Sequence, residues 1–136
     1  MLKRFSISMD EELLARFDKF IRERRYVNRS EAVRDLIRRE LVSDEWAQDK
    51  EVAGVVTMVY DHHQPQVQQR LTGIQHQYYT IITSTTHVHM DHHNCLEVVI
   101  AKGRASVVRE MAEQMLAMRG VKSGKLTMAS TGQDLL

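Results

Sequence analysis

Two histidines and one cysteine are the residues of this chain best suited to chemistry. His87 and His89 lie two positions apart in a segment that favours β-structure, and Cys95 is the only cysteine. Alternate residues of a strand point to one face, so both imidazoles share a face. Cys95 joins them only if the chain turns back and places residue 95 opposite residue 89, because a one-residue slip turns the thiol away. Imidazole and thiolate bind transition metals, so the segment predicts a metal site.

A fourth ligand has to come from elsewhere in the sequence. His76, at the end of a predicted helix, is the best candidate. Three imidazoles and one thiolate suit tetrahedral zinc, copper or square-planar nickel, and donor type alone does not choose among them. We expect the remaining histidines to be solvent-exposed loop residues or weak adventitious ligands: His62, His63, His92 and His93.

Two further polar residues are candidates for orienting a ligand. Glu97 follows Cys95 by two positions and shares its face under the same register. A carboxylate there can hold an imidazole in position, and Gln75 is a weaker candidate for the same role. An exposed strand charge is an equally good interpretation of Glu97.

The second half of the chain changes its hydrophobic period repeatedly. The pattern predicts strand, helix, strand, strand, helix and strand, which is the order of a ferredoxin-like α+β sandwich. Pro65 suits the first turn of the first helix. The segments at 78–90 and 96–101 are the expected hairpin that carries the metal ligands. We assign this domain to residues 52–130, with a tail at 131–136.

The first 43 residues predict a strand followed by two helices. Apolar and polar residues alternate up to Met9, and Asp10 and Asn28 are N-cap candidates before two amphipathic patterns. A unit this short cannot bury both helical stripes, and its strand has no partner within the chain. We therefore predict an obligate dimer over residues 1–43, followed by a polar linker at 44–51.

The charges of this first unit favour DNA as its partner. Residues 1–43 hold a mild excess of basic residues. Two antiparallel copies of the strand would display Arg4, Ser6 and Ser8 on one surface, and such a ribbon fits the major groove, where Arg and Ser can contact base edges. The backbone amides at Asn28, Arg29 and Ser30 can hold a phosphate. A solvated face on an ordinary dimer ribbon is the less favoured alternative.

Composition and charge restrict the other classes of function. The formal net charge is +1 and no apolar run is long enough to cross a bilayer, so we expect a cytoplasmic protein without a membrane partner. Four strong ligands close a coordination shell, and no other catalytic cluster is present, so we do not expect an enzyme. The downstream Glu and His of a cupin-like oxygenase are also missing. A DNA-binding repressor that senses a small organic ligand, or another metal such as zinc or copper, remains an alternative.

Short motifs give the chain a resemblance to known families. Residues 3–41, with the run 28–34, resemble the ribbon-helix-helix repressors. Nearly the whole chain resembles the NikR family of nickel-responsive transcriptional regulators, in which a ribbon-helix-helix domain precedes an ACT-like βαββαβ domain. The matching motifs are Gln75-His76, His87-Val88-His89, Cys95-Leu96-Glu97 and Asn28-Arg29-Ser30-Glu31.

The resemblance implies a ligand, an assembly and a role. One Ni(II) per subunit would be bound by His87, His89 and Cys95, with His76 of a neighbouring subunit completing a square plane. The chain would be a homotetramer, a dimer of dimers, that binds a palindromic double-stranded operator and represses nickel uptake genes. The resemblance also implies potassium or a second metal between the domains, with Glu31 and Asp35 as ligands.

Overall fold

The computed structural model describes residues 1–136 and divides into two compact units, Met1–Glu40 and Leu41–Leu136. No helix is both long enough and apolar enough to span a membrane. In chain order, the elements are α1 (Glu11–Glu23), α2 (Arg29–Ala47), β1 (Glu51–Asp61), α3 (Pro65–Gln77), β2 (Ile82–His89), β3 (Asn94–Arg104), α4 (Ala105–Leu116) and β4 (Val121–Ala129).

The N-terminal unit contains α1 and the first part of α2. Both helix starts are capped as the sequence predicts, since Asp10 Oδ1 accepts from the Glu12 amide at 2.9 Å and Asn28 Oδ1 accepts from the Glu31 amide at 2.9 Å. Residues 1–10 are exposed and form no strand, which differs from the predicted β-segment. A strand needs a second strand to pair its backbone groups, and one copy of this unit offers none.

The C-terminal unit is built on one antiparallel sheet with the strand order β2-β3-β1-β4. This arrangement confirms the predicted βαββαβ order of an α+β domain. Residues of β1 alternate between buried and partly buried, and the buried set packs with α3 and α4. Gly54 lets α4 approach the sheet, because a Cβ there would lie 2.6 Å from Val108 Cγ1. The largest fully buried side chains include Val56, Met58, Tyr60, Leu71, Met111 and Met115.

The segment predicted as a linker is mostly regular structure. Residues 44–47 complete α2 and Glu51 begins β1. This segment is ordered because Trp46 anchors it. Trp46 is only 3% exposed, belongs to the core, and donates from Nε1 to the Ala129 carbonyl at 2.9 Å. The last turn of α2 is therefore part of the C-terminal unit, and a turn at Gln48 and Asp49 leads directly into the sheet.

Candidate metal centre

The β2–β3 hairpin has the register that the metal site requires. His89 pairs with Cys95 and His87 pairs with Glu97, which confirms the predicted register. On the other side of β3, Tyr60 of β1 pairs with Cys95. Paired residues of neighbouring strands share a face, so these five side chains lie on one face of the sheet.

Cys95 is the most buried of the predicted ligands. It is fully buried, and its Sγ lies 3.3 Å from His89 Nδ1. Burial raises the pKa of the Cys95 thiol, and the nearby Glu97 carboxylate adds to the increase. Thiolate is the form that binds metal, so a metal ion at this position has to displace the thiol proton.

His62 lies with these two residues, contrary to the expectation that it is an exposed loop residue. The ligand atoms of His62, His89 and Cys95 all lie within 4.8 Å of one another. His62 directly follows β1, which is paired with the cysteine-bearing β3, and its buried Nδ1 has no hydrogen-bond partner. Burial, His63 and His89 lower the pKa of His62, which favours the neutral imidazole that can bind metal. Strand register could have identified His62, whereas spacing along the sequence could not.

His87 is near the site but is not in the group of three. Its ring centroid lies 5.5 Å from that of His89 and 5.9 Å from that of Tyr60. It is exposed on β2, opposite Glu97. A single chain thus places two imidazoles, His62 and His87, beside His89.

Glu97 is buried, which excludes the exposed strand charge as its interpretation. It is 7% exposed, and its Oε2 accepts from Gln75 Nε2 at 3.3 Å. The Gln75 amide oxygen in turn accepts from Thr85 Oγ1 at 3.4 Å. Burial raises the pKa of Glu97, while His87 and the hydrogen bond from Gln75 act in the opposite direction. Gln75 therefore links α3 to both strands of the hairpin beside the candidate ligands.

His76 is the predicted ligand that the single chain keeps apart. It is exposed in the last turn of α3 and is not in the group of adjoining ligand atoms. It lines an open surface groove together with Thr72, Gln75, Tyr79 and Ile82. One copy of the chain therefore leaves this imidazole available to a second copy.

Tyr60 is a polar residue of the site that sequence reasoning did not identify. It is fully buried, and its hydroxyl has no hydrogen-bond partner. Burial raises the pKa of Tyr60 to about 12, with further contributions from Glu97 and Cys95. Its pairing with Cys95 on the neighbouring strand brings it to this face, and only the register of the sheet reveals that.

The residues predicted to contact DNA are all in the N-terminal unit. Arg4, Ser6 and Ser8 are exposed on the unpaired N-terminal segment, and Asn28 and Ser30 are exposed at the start of α2. The Arg29 side chain instead donates twice to Asp18, from Nε and from Nη2, each at 2.9 Å. The hydrogen bond from Arg29 lowers the pKa of Asp18. In this arrangement the backbone amide of Arg29 can contact a phosphate, whereas its side chain is already paired with Asp18.

The two carboxylates predicted for a secondary ion have partners within the same unit. Glu31 accepts from Arg34. Asp35 accepts from the Tyr26 hydroxyl and lies 3.1 Å from Arg39. A cation bound by Glu31 and Asp35 would compete with these three donors.

Comparison with known families matches the two parts of the chain separately. Residues 53–129 match the family model described as the NikR C-terminal nickel-binding domain. Residues 3–43 match the model of ribbon-helix-helix proteins of the copG family. The two matches agree with the observed order of elements, in which α1 and α2 precede the four-stranded sheet.

Individual relatives cover almost the whole chain. One from Desulfotalea psychrophila is 56% identical over 99% of this chain and 99% of that protein. One from Thermococcus kodakarensis is 54% identical over 98% of this chain and 97% of that protein. Both are assigned by name as nickel-responsive regulators. A solved structure of the uncharacterized protein TM1266 from Thermotoga maritima has a TM-score of 0.52 at 10% identity, covers 57% of this chain and 96% of that chain, and supports the fold alone.

Proposed function

Because the chain belongs to the NikR family of nickel-responsive transcriptional regulators, we propose that it is a nickel-dependent repressor that binds a palindromic operator as a homotetramer. A ribbon-helix-helix domain and a nickel-binding domain in one chain are those of a regulator and not of an enzyme. The repressed genes would encode nickel uptake. The observation that carries the proposal is the shared face of His87, His89 and Cys95 on one hairpin.

The proposed site takes one Ni(II) per subunit and is completed by a second subunit. His87, His89 and Cys95 are the ligands from one chain, and His76 of a neighbouring subunit is the fourth. The exposure of His76, away from the other three, supports a ligand shared between subunits. Glu97 and Gln75 hold the hairpin side chains in position through their mutual hydrogen bond.

The regulatory step is a change in the arrangement of subunits. A metal ion bridging two chains stabilises the arrangement that brings four ligands together, and it promotes operator binding only through its higher affinity for that arrangement. Copper binds such donors more tightly than nickel does. Specificity for nickel therefore depends on coordination geometry, because only the ion with the matching geometry couples to the DNA-binding arrangement.

The position of His62 favours a second candidate, a response to zinc or copper. His62, His89 and Cys95 form a three-ligand set within one chain, which a tetrahedral ion can use without a second subunit. His62→Ala and His87→Ala separate the two sets. The nickel proposal predicts that only His87→Ala abolishes nickel-dependent operator binding. If His62→Ala abolishes it instead, the regulatory metal is bound by the set that contains His62.

DNA recognition is assigned to the N-terminal unit. In a dimer, Arg4, Ser6 and Ser8 contact base edges, and the backbone amides at Asn28, Arg29 and Ser30 bind phosphate. Arg4→Ala then lowers the preference for operator over random DNA in a competition assay. Glu31 and Asp35 are the proposed ligands of a secondary potassium or metal ion.

Subunit complementation tests the shared site directly. His76→Ala and Cys95→Ala each remove one ligand, and each variant alone should lose nickel-dependent operator binding. When the two are unfolded together and refolded as a mixture, the neighbouring pair contains one intact site, formed by Cys95 of one variant and His76 of the other. We expect the thiolate-to-nickel absorption band and part of the operator affinity to return. The operator is obtained by selecting random DNA with the wild-type protein and nickel.

Two controls make the complementation decisive. In the first control, Cys95→Ala is mixed with Glu113→Ala, which changes a residue outside the site and leaves all ligands in place. This mixture shows how much nickel binding to expect when Cys95 is missing from only one of the two variants. Each variant refolded alone shows the background. No recovery in the His76→Ala and Cys95→Ala mixture, beside nickel binding at about half of the sites in the control mixture, would overturn the shared site.

A further inference from the structure

A second group of imidazoles lies outside the proposed nickel ligands. His63 is in the loop after β1, and His92 and His93 are in the loop between β2 and β3. The ring centroids are 5.2 Å apart for His63 and His92, 5.2 Å for His63 and His93, and 5.0 Å for His92 and His93. All three residues are exposed. We call them the loop histidine cluster.

The backbones that carry these rings are held together. The His62 amide donates to the His93 carbonyl at 3.0 Å, which joins the two loops. The His63 amide donates to Asp61 Oδ1 at 2.9 Å, and the His93 amide donates to Asp91 Oδ1 at 2.8 Å. These hydrogen bonds therefore hold the backbones of the two loops together.

One ring of the cluster already has the hydrogen bond typical of a metal ligand. His63 Nε2 lies 2.8 Å from the His92 carbonyl oxygen. A carbonyl only accepts, so Nε2 carries the proton and Nδ1 has the free lone pair. Metal-binding imidazoles commonly donate their other ring N–H to a backbone carbonyl in this way, which fixes the tautomer.

The ring spacing fits three imidazoles on one ion. With metal–nitrogen distances of about 2.0–2.1 Å and tetrahedral angles, the ring centroids lie about 5 Å apart. The observed centroid distances are 5.0–5.2 Å. The nitrogens have to rotate towards a common point, and exposed side chains change rotamer within picoseconds to nanoseconds.

We propose that His63, His92 and His93 form a second metal site, for a divalent ion such as zinc, copper or nickel, with water completing an all-nitrogen shell. Imidazole suits all of these ions. The site is independent of Cys95 and binds more weakly than a buried thiolate site, because its ligands are exposed and have to be ordered on binding. It therefore fills only after the nickel site.

Cobalt(II) titration of the full-length protein tests this site, because it reports ligand type and geometry together. The protein first receives one equivalent of nickel per chain, whose thiolate absorption band reports the Cys95 site. Further cobalt should add visible bands of a tetrahedral ion without adding thiolate absorption. His63→Gln and His93→Gln should each weaken cobalt binding about tenfold or more. Loss of a residue that only hydrogen-bonds to a metal ligand already costs about 10–100-fold in metal affinity, and a direct ligand contributes at least as much.

A neighbouring substitution provides the control. Gln64→Ala changes an exposed residue beside His63 and should leave both sets of bands unchanged. The proposal is overturned if the wild-type protein takes up no second ion, or if uptake is unchanged in His63→Gln and His93→Gln. It is also overturned if either variant loses the nickel thiolate band, because the cluster would then belong to the nickel site. Failure of the nickel proposal is separately visible as a missing thiolate band in the wild-type protein.

Discussion

The N-terminal and C-terminal units bury their apolar residues to different degrees. In the N-terminal unit Phe5 is 71% exposed, Ile7 60% and Leu13 56%. In the C-terminal unit Met58 and Met111 are fully buried within one continuous core. Large exposed apolar patches mark sites of association. This difference supports our proposal that the N-terminal unit dimerises through its exposed apolar residues, whereas the C-terminal unit buries a hydrophobic core within one chain.

The proposed need for a partner in the C-terminal unit has a different physical origin. Its hydrophobic core is buried within one chain, but the proposed coordination shell lacks one ligand, because His76 stands apart from the hairpin. Burial of apolar surface is non-directional and adapts to substitution, whereas coordination requires particular atoms at particular distances. The two units should therefore respond differently to mutation.

The largest effect is expected from placing a charge on the exposed apolar face of the N-terminal unit. In Ile7→Glu, each dimer would bury two carboxylates, and the penalty is several kcal/mol for each ion. We expect operator binding in fluorescence anisotropy to be lost while nickel binding is retained. Ile7→Val keeps a β-branched apolar residue and should bind DNA normally. Normal operator binding by Ile7→Glu would show that this face is not a dimer contact and would end the contrast between the units.

The next effect tests whether the core of the C-terminal unit is complete in one chain. Trp46 is 3% exposed, and Trp46→Ala should lower the free energy of unfolding by about 3–5 kcal/mol. Ile37, which is 49% exposed in the N-terminal unit, provides the comparison, because Ile37→Ala in a dissociated chain removes few contacts. Urea unfolding followed by far-UV circular dichroism, repeated over a range of protein concentrations, measures both. A Trp46→Ala penalty that depends on protein concentration would show that this core also depends on a partner.

A smaller effect separates coordination from packing within the C-terminal unit. Glu97→Gln preserves the shape of the side chain but removes the charge beside His87. We expect nickel affinity to fall about 10–100-fold, the usual cost of losing an outer partner of a metal ligand. Burial raises the pKa of Glu97, so the charged form is disfavoured by folding and the neutral variant should not be less stable without metal at pH 7. Isothermal titration measures the nickel affinity, and thermal melting measures the stability of the metal-free protein. If Glu97→Gln lowers both, Glu97 contributes through packing alone.

Local patterns predicted much of this molecule, and long-range pairing explains most of what they did not predict. Asp10 and Asn28 cap helices that begin at the next residue, so neighbouring positions reveal them. His62 and Tyr60 reach Cys95 only through the register of β1 and β3, which depends on a fold that spacing does not specify. Trp46 lies in a polar stretch that resembles a linker, and its place in the core depends on contacts with residues distant in sequence, among them the Ala129 carbonyl at the end of β4.

The smallest predicted effect concerns the cap of α4, whose capping residue is distant from the helix in sequence. Asp49 Oδ1 accepts from the Ser106 amide at the start of α4 at 2.7 Å, and Oδ2 accepts from Arg104 at 2.8 Å. The φ angle of Asp49 is 55°, in the left-handed region that Asn tolerates, so Asp49→Asn tests the charge without adding backbone strain. We expect the midpoint of thermal unfolding to fall by a few degrees at pH 7.

The pH dependence of that difference identifies its cause. The hydrogen bonds from Ser106 lower the pKa of Asp49 below 3.8, and Arg104 contributes less. A lowered carboxyl pKa stabilises the folded state above pH 3.8 and loses this contribution as the pH falls through the folded-state value. The melting curves of wild type and Asp49→Asn, followed by circular dichroism, should therefore converge in acid. Arg104→Gln removes only an exposed ion pair and should cost less at every pH, whereas an equal loss in both variants would assign the effect to the ion pair instead of the cap.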